Sequence, residues 1–316
     1  MRESGSGDEH GHGGEPPHWD YAGAEHWGEL ADEFATCGTG TEQSPIDLTR
    51  PVVTVIDDAV VDYVPSAATV TDNGHTVQVN FADGGTATVD GVEYELLQFH
   101  FHAPSEHTVD GEHSPVEGHL VHADQDGNLA VIGVMIVEEE PVAEEPTVED
   151  PVADGVDVED GVDEEADASE ADVVEDETSS DGAVDVSSAA GTGADDPDVA
   201  DESLADVEEE PVFDPDAASA LIERVLVAVP EPGEEVALDE PVDATDLLPE
   251  YRMAYRYAGS LTTPPCSESV TWSVLVQPIT WTAEQIATLE SFFVEENNRP
   301  VQPLNERELL VDIVPD

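Results

Sequence analysis

Residues 94–123 read YELLQFHFHAPSEHTVDGEHSPVEGHLVHA, and their pattern decides the architecture. Side chains alternate in character through YELLQFHFH and again through VEGHLVHA, the period-two signature of strands that show one face to a core. His100 and His102 lie two apart on the first strand, so both imidazoles project from the same face, and the next strand adds His119. His122 falls out of step with His119 and is expected to point elsewhere. Taken alone, an H-x-H pair on a strand is more often a satisfied or half-exposed pair than a metal site. Three imidazoles on neighbouring strands are different: they form the ligand set that leaves a fourth tetrahedral position open on zinc, as hydrolytic and hydration chemistry needs. Gln98 shares the face of His100 and Glu117 that of His119, so both can accept hydrogen bonds that fix the imidazole tautomers.

Working outward, short strands are read in TVIDDAVVDYV, HTVQVNF, TATV and NLAVIGVMIV between about 52 and 137. Asp72-Asn73-Gly74 and Asp83-Gly84-Gly85 supply the positive φ that tight hairpins demand. Strand signals return in YRMAYRYAGSL and SVTWSVLVQPI. Asp214 can cap a helix through DPDAASALIERVLVAV with Pro215 in its first turn, and Thr282 with Gln285 forms a capping box before IATLESFFVEE. The expectation is a mainly β, α+β fold with peripheral helices around one twisted sheet.

Charge separates this sheet-forming sequence from the rest. The chain of 316 residues carries 76 acidic side chains against 7 basic ones, all arginine, for a net charge of −69. Nucleic acid and anionic membrane surfaces would be repelled. Of the acids, 33 fall within 138–216, which holds no basic residue and no aromatic one before Phe213. Such a stretch cannot bury a core and reads as disordered. No window in it fits a calcium loop, because the acids fall out of register with Gly155 and Gly161. Since strands appear on both sides, 138–213 is read as an acidic insertion in a single domain formed by 18–137 and 214–316, preceded by a His/Gly-rich tail at 1–17. His10 and His12 in that tail read as solvated rather than metal-binding. Even without the acidic stretch the charge stays near −36. Self-repulsion on that scale favours concentrated salt, which shortens the screening length to about 3 Å at 1 M, so the surface reads as halophilic.

The sequence contains no run of about 18 apolar residues, so no transmembrane helix is expected, and its opening lacks the apolar stretch of a signal peptide. Cys37 and Cys266 lie too far apart in sequence for spacing to argue that they pair.

At this point the chain resembles the α-class carbonic anhydrases. QSPIDL (43–48), QFHFH (98–102), SEHTVDG (105–111), VEGHLVH (116–122), GSLTTPPC (259–266), VTW (270–272) and NNRPVQPLN (297–305) match that family's motifs in its order. The resemblance implies a mostly antiparallel central sheet. It implies reversible hydration of carbon dioxide to bicarbonate and a proton, with Zn2+ held by His100, His102 and His119 and a zinc-bound hydroxide as nucleophile. Gln98, Glu117 and the backbone of Asn297 are implied as acceptors behind the ligands. Thr262 is implied to accept from the hydroxide while donating to Glu106, and Thr263 to line the substrate side. Val121, Val131, Leu261, Val270 and Trp272 fall on positions of the carbon dioxide pocket; without the resemblance each would read simply as core. His75, in DNGH, sits at the position of a proton shuttle, with Asn73 and Tyr21 at polar positions that order intervening water. Cys37 and Cys266 match cysteines that pair in secreted and periplasmic members, where the bridge braces the threonine loop. This places the protein outside the cytoplasm, against the lack of a visible signal peptide, which favours the cytoplasm.

Two rival readings belong to other classes. A catalytically silent relative would act as a binding module, but such proteins typically lose a ligand histidine. A cation-binding or partner-binding protein would use the acidic insertion as its working part and the rest as scaffold. Removing 138–216 separates that rival from the enzyme reading, which expects hydration activity to survive. The oligomeric state is not legible in the sequence.

Overall fold

The computed structural model describes residues 17–57, 59–139 and 215–312, all within one unit made of Met1–Pro141 and Glu210–Asp316. The acidic stretch, the 1–16 tail and the expected cap at Asp214 lie outside the described residues, apart from Glu138 and Glu139 at the start of the stretch and Pro215 and Asp216 at its end.

The first strands are β1 (Val52–Thr54), β2 (Val60–Tyr63), β3 (Ala68–Asp72), β4 (Val77–Phe81) and β5 (Gly85–Val89). The long β6 (Val92–His102), a small hairpin of β7 (Thr108–Val109) and β8 (Glu112–His113), β9 (Val116–Ala123) and β10 (Leu129–Glu138) follow. After the acidic stretch come β11 (Glu235–Ala237), β12 (Ala254–Ser260), β13 (Glu268–Leu275), β14 (Ile279–Trp281) and β15 (Leu310–Asp312). Among the described residues four α-helices accompany them: α1 (Trp27–Leu30), α2 (Thr36–Thr39), α3 (Pro215–Ala228) and α4 (Ala283–Glu290).

Among the described residues thirteen strands form one mixed sheet with the spine β1-β15-β12-β13-β10-β9-β6-β4-β3-β11, while β14 pairs with β10 and β5 pairs with β2 and β6. Most pairs are antiparallel; β1 with β15, and β10 with β13 and β14, are parallel. Such a sheet places β6 and β9 at its centre, where register sets His100 opposite His119 and His102 opposite Glu117. Strand β9 is buried along nearly its whole length because both faces are covered. Leu120 meets the main core, whereas Val121, one residue on, joins a smaller apolar cluster with Val131 and Trp272.

A β-bulge in β6 makes the histidine face. Leu96 registers with His122 and Gln98 with Val121, so Leu97 is unpaired and 42% exposed. Strict alternation would put Tyr94, Leu96, Gln98 and His100 on one face. The extra residue resets the parity, so Tyr94 and Leu96 face the main core together with Phe99 and Phe101, while Gln98, His100 and His102 turn to the other side.

The turn readings are realised in part. Gly74 (φ +83°) closes the turn between β3 and β4, and Gly85 (φ +89°) lies where a Cβ would sit 2.2 Å from the Asp62 carbonyl. TVIDDAVVDYV (54–64) is not a single strand: β1 ends at its first residue, Thr54, and only β2 (Val60–Tyr63) forms within it, while β3 has no counterpart among the expected strands. Helix α3 presents Leu221, Ile222, Val225 and Leu226 to the main core, with Ala218 also buried, an apolar stripe of helical period. In α4 the capping box forms, with Gln285 N donating to Thr282 Oγ1 (3.2 Å) and Thr282 N to Gln285 Oε1 (2.9 Å). The helix stops at Glu290, short of SFFVEE, because Phe292 and Phe293 leave helical spacing to pack on the core.

Candidate active site

His100, His102 and His119 converge: their ring centroids lie 5.0, 5.1 and 4.6 Å apart, and one nitrogen of each lies within 4.8 Å of the others. Two formed hydrogen bonds and one close carboxylate contact set which nitrogens face inward. Gln98 Oε1 takes His100 Nδ1 at 2.9 Å, the Asn297 carbonyl takes His102 Nδ1 at 2.7 Å, and Glu117 Oε1 lies 3.0 Å from His119 Nε2. This leaves Nε2 of His100 and His102 and Nδ1 of His119 toward the common centre. Burial lowers all three pKa values, that of His102 to about 4, so the rings are neutral at pH 7 with lone pairs free.

Behind them lies Glu106, fully buried, whose Oε2 is 3.5 Å from His102 Nε2 and 3.9 Å from His119 Nδ1. Burial pushes its pKa up to about 7, against the pull of His119, the Thr262 hydroxyl and the Arg299 peptide N–H. That N–H donates to Glu106 Oε1 at 2.9 Å, while Oε2 has no well-formed hydrogen bond among the described residues. His102 Nε2 is likewise buried without a partner. Buried polar atoms are rarely left orphaned, and a ring of neutral imidazoles with a carboxylate beside it is the donor chemistry that a zinc ion satisfies. A cation there would also draw Glu106 toward its ionised form.

Glu117 does more than hold His119. Its Oε2 accepts from the peptide N–H groups of Glu106 (2.9 Å) and His107 (2.8 Å), and its Oε1 takes His107 Nδ1 at 2.7 Å. Burial alone would raise its pKa; the imidazoles of His107 and His119 outweigh that and hold it well below the ordinary value. Gly133 on β10 permits the arrangement, since a Cβ there would meet Glu117 Oε1 at 3.1 Å. His107 continues the chain to the Tyr257 hydroxyl (2.7 Å), which meets Ser44 Oγ (2.9 Å). Sequence reasoning misses His107, Tyr257 and Ser44. His107 stands one residue from Glu106 in SEHTVDG, and that proximity is its only local signal.

The histidines floor a cavity of about 170 Å³ with two unlike walls. Val121, Val131, Leu261 and Trp272 form the apolar side, with Thr262 and Thr263 at its edge, while Tyr21, Asn73, His75, Thr76, Gln78 and Gln98 line the polar one. Trp272 is held by its Nε1–H donating to the Ser260 carbonyl at 3.0 Å. Val270 shares the face of Trp272, two residues on, and packs in the same apolar cluster as Val121 and Val131. It sits one pleat repeat before Trp272, in register with Leu129, and is 2% exposed.

His75 lies at the mouth, stacked on Trp19 at 3.7 Å between centroids and 6° between planes, a partner that sequence reasoning also misses. Burial and the charge of His18 lower its pKa, with Asp20 opposing. Asn73 Oδ1 accepts from the peptide N–H groups of His75 and Thr76 (both 2.9 Å), so it fixes the turn that carries His75. The Tyr21 hydroxyl is buried with no partner among the described residues.

Cys37 and Cys266 form a disulfide. Cys266 closes the turn after Thr262, its N–H donating to the Thr263 carbonyl at 2.8 Å, so the bridge ties the threonine loop to α2.

A mainly β scaffold that gathers three neutral imidazoles and a buried carboxylate beneath a half-apolar cleft defines a protein whose residues could hold a metal ion beside room for a small substrate. The chain belongs to the eukaryotic-type carbonic anhydrase family, whose sequence profile matches residues 22–150 and 209–313. A carbonic anhydrase of Neisseria gonorrhoeae is 32% identical over 301 residues, covering 93% of this chain and 88% of that protein. The α-carbonic anhydrase of Thermovibrio ammonificans, solved with the inhibitor sulfanilamide, is 34% identical with a TM-score of 0.66, covering 93% of this chain and 98% of that one. A hyperthermostable carbonic anhydrase from a hydrothermal vent chimney is 33% identical with a TM-score of 0.67, covering 94% and 100%.

Proposed function

We propose that this chain catalyses the reversible hydration of carbon dioxide to bicarbonate and a proton, with Zn2+ held by His100, His102 and His119. The observation that carries the reading is the convergence of three inward nitrogens, each ring backed by its own acceptor group, beside the otherwise unpartnered Oε2 of Glu106. Zinc would supply hydroxide from water at neutral pH; the pKa of about 7 that makes this possible is the value established on carbonic anhydrases themselves.

The protein's own residues would do the rest. Thr262 donates its hydroxyl proton to Glu106, which obliges its oxygen to accept on the other side and so orients the nucleophile. The wall of Val121, Val131, Leu261 and Trp272 holds carbon dioxide, which has no net charge and needs an apolar seat rather than a cationic one. Thr263 marks the side on which bicarbonate forms. At the mouth His75 takes up the released proton and passes it to buffer, a step suited to an imidazole near neutrality. The disulfide fits an oxidising compartment outside the cytoplasm, and the lysine-free acidic surface fits concentrated salt. Among the described residues no helix is long and apolar enough to cross a membrane.

The test is carbon dioxide hydration in molar salt, with and without a chelator, alongside metal analysis. Chelator-sensitive activity with about one zinc per chain is expected; hydration that persists after complete metal removal overturns the reading.

A further inference from the structure

Arg299 is the only arginine among the described residues with 1% exposure, and its side chain serves no group of the reaction directly. Its guanidinium gathers the loop that precedes β1: Nη1 donates to the Ser44 carbonyl (2.7 Å), and Nη2 to the Cys37 carbonyl and Gln43 Oε1 (both 3.0 Å). The fork lies over Trp27 at 5.7 Å. Among the described residues no carboxylate lies within ion-pair distance of it, so the desolvated charge is held directly by carbonyl dipoles and an indole face, with Glu106 attracting it from further off. A buried cation in such a place is costly unless the geometry it enforces is needed.

That geometry reaches both halves of the proton-holding pair. From the same residue the peptide N–H donates to Glu106 Oε1. Gln43, whose Oε1 Arg299 holds, donates from Nε2 to the Cys266 carbonyl at 3.1 Å, and Cys266 closes the turn that carries Thr262. Cys37, whose carbonyl Arg299 also holds, is bonded to Cys266 through sulfur. The result is a closed ring, Arg299–Gln43–Cys266–Cys37–Arg299, with Glu106 hung from one corner and Thr262 from the opposite one.

We infer that Arg299 is a positioning residue: its guanidinium fixes the distance between Glu106 and Thr262 by locking the segments that carry them to one rigid ring. This rests on the proposed reaction, but its structural half can be read without turnover. Arg299→Met keeps the peptide N–H and removes the fork. In the zinc-loaded protein, the amide of residue 299 should then exchange its hydrogen at least about tenfold faster, because Glu106 is no longer held against it. Metal content should stay that of the parent, since Arg299 touches none of the three histidines. Hydration kcat should fall about tenfold to a hundredfold, the scale of a displacement near 1 Å. In a Thr262→Ala background the same change should cost less than about twofold, because there is no hydroxyl left to align.

Equal losses of kcat in the two backgrounds, or an unchanged exchange rate at 299, overturn the inference and leave Arg299 a packing residue. Should Arg299→Met fail to fold, Arg299→Lys, which keeps the charge but cannot span all three acceptors, enters the same two comparisons. A parent that loads zinc yet does not hydrate carbon dioxide defeats the proposed reaction instead, and the amide exchange still decides whether Arg299 holds Glu106.

Discussion

His102 donates from Nδ1 to the backbone carbonyl of Asn297, 2.7 Å away and 195 residues further along the chain. That bond joins the centre of the sheet to the segment after α4, and it decides that Nε2 is the nitrogen left for a ligand. Asn297 reinforces it with its side chain, accepting from Ala103 N (2.8 Å) and donating to the carbonyls of Phe101 (2.9 Å) and His75 (3.1 Å). One residue thus ties a proposed ligand and the proposed shuttle to the same frame.

Replacing His119 by alanine leaves two imidazoles, too few to hold zinc against dialysis. Metal content should fall from about one zinc per chain to under about a tenth, and hydration with it. A dialysed His119→Ala protein that kept its full zinc would show that the ion sits elsewhere.

Thr262→Ala removes the hydroxyl beside Glu106 without touching an imidazole. Zinc should remain at the parent level while kcat for hydration drops by about a hundredfold. Stopped-flow rates indistinguishable from the parent would sink the orienting role.

His75→Ala should lower turnover mainly in weak buffer and recover in concentrated imidazole, which replaces the missing relay. Burial and His18 lower the His75 pKa below its ordinary 6.5, so the shuttle accepts protons in full above that pH and weakens below its lowered value. A deficit that is the same at every buffer concentration would assign His75 another task.

His122 lies on the core side of β9, with Nε2 2.6 Å from the Tyr63 hydroxyl and its pKa lowered by burial from 6.5 to about 4. A histidine held neutral this way contributes stability fully above pH 6.5, and loses it as pH falls through the window down to about 4. The change amounts to roughly 3 kcal/mol. The stability lost between pH 7 and 4, read from urea melts, should be smaller in His122→Gln than in the parent by about that much in total; parallel profiles would remove His122 from the acid response.

Moving the protein from molar to millimolar salt should unfold it, because a net charge of −69 with 7 arginines and no lysine repels itself once screening is lost. Far-UV circular dichroism reads the transition, and a spectrum unchanged at both salt levels would end the high-salt interpretation.

Much of this site is legible in the sequence. Alternation places His100 and His102 on one face, and the same rule puts Gln98 and Glu117 beside their imidazoles, where both are found. Thr282 and Gln285 announce their capping box three residues apart. What escapes such reasoning depends on partners far along the chain. Trp19 meets His75, and Tyr257 meets His107, across 56 and 150 residues, distances over which no local pattern speaks.

The amino-acid sequence by itself determined which residues share a face within an unbroken strand, the turn glycines at 74 and 85 and the identity of the chemical groups, because periodicity, φ preference and side-chain chemistry act within a few residues. Only the tertiary structure decided that Leu97 bulges out of β6, that His119 comes to lie opposite His100, and that the Asn297 carbonyl selects the tautomer of His102. Each of those outcomes is a register or a closure between distant segments, and it follows from packing the whole sheet against its core rather than from the propensity of any one stretch.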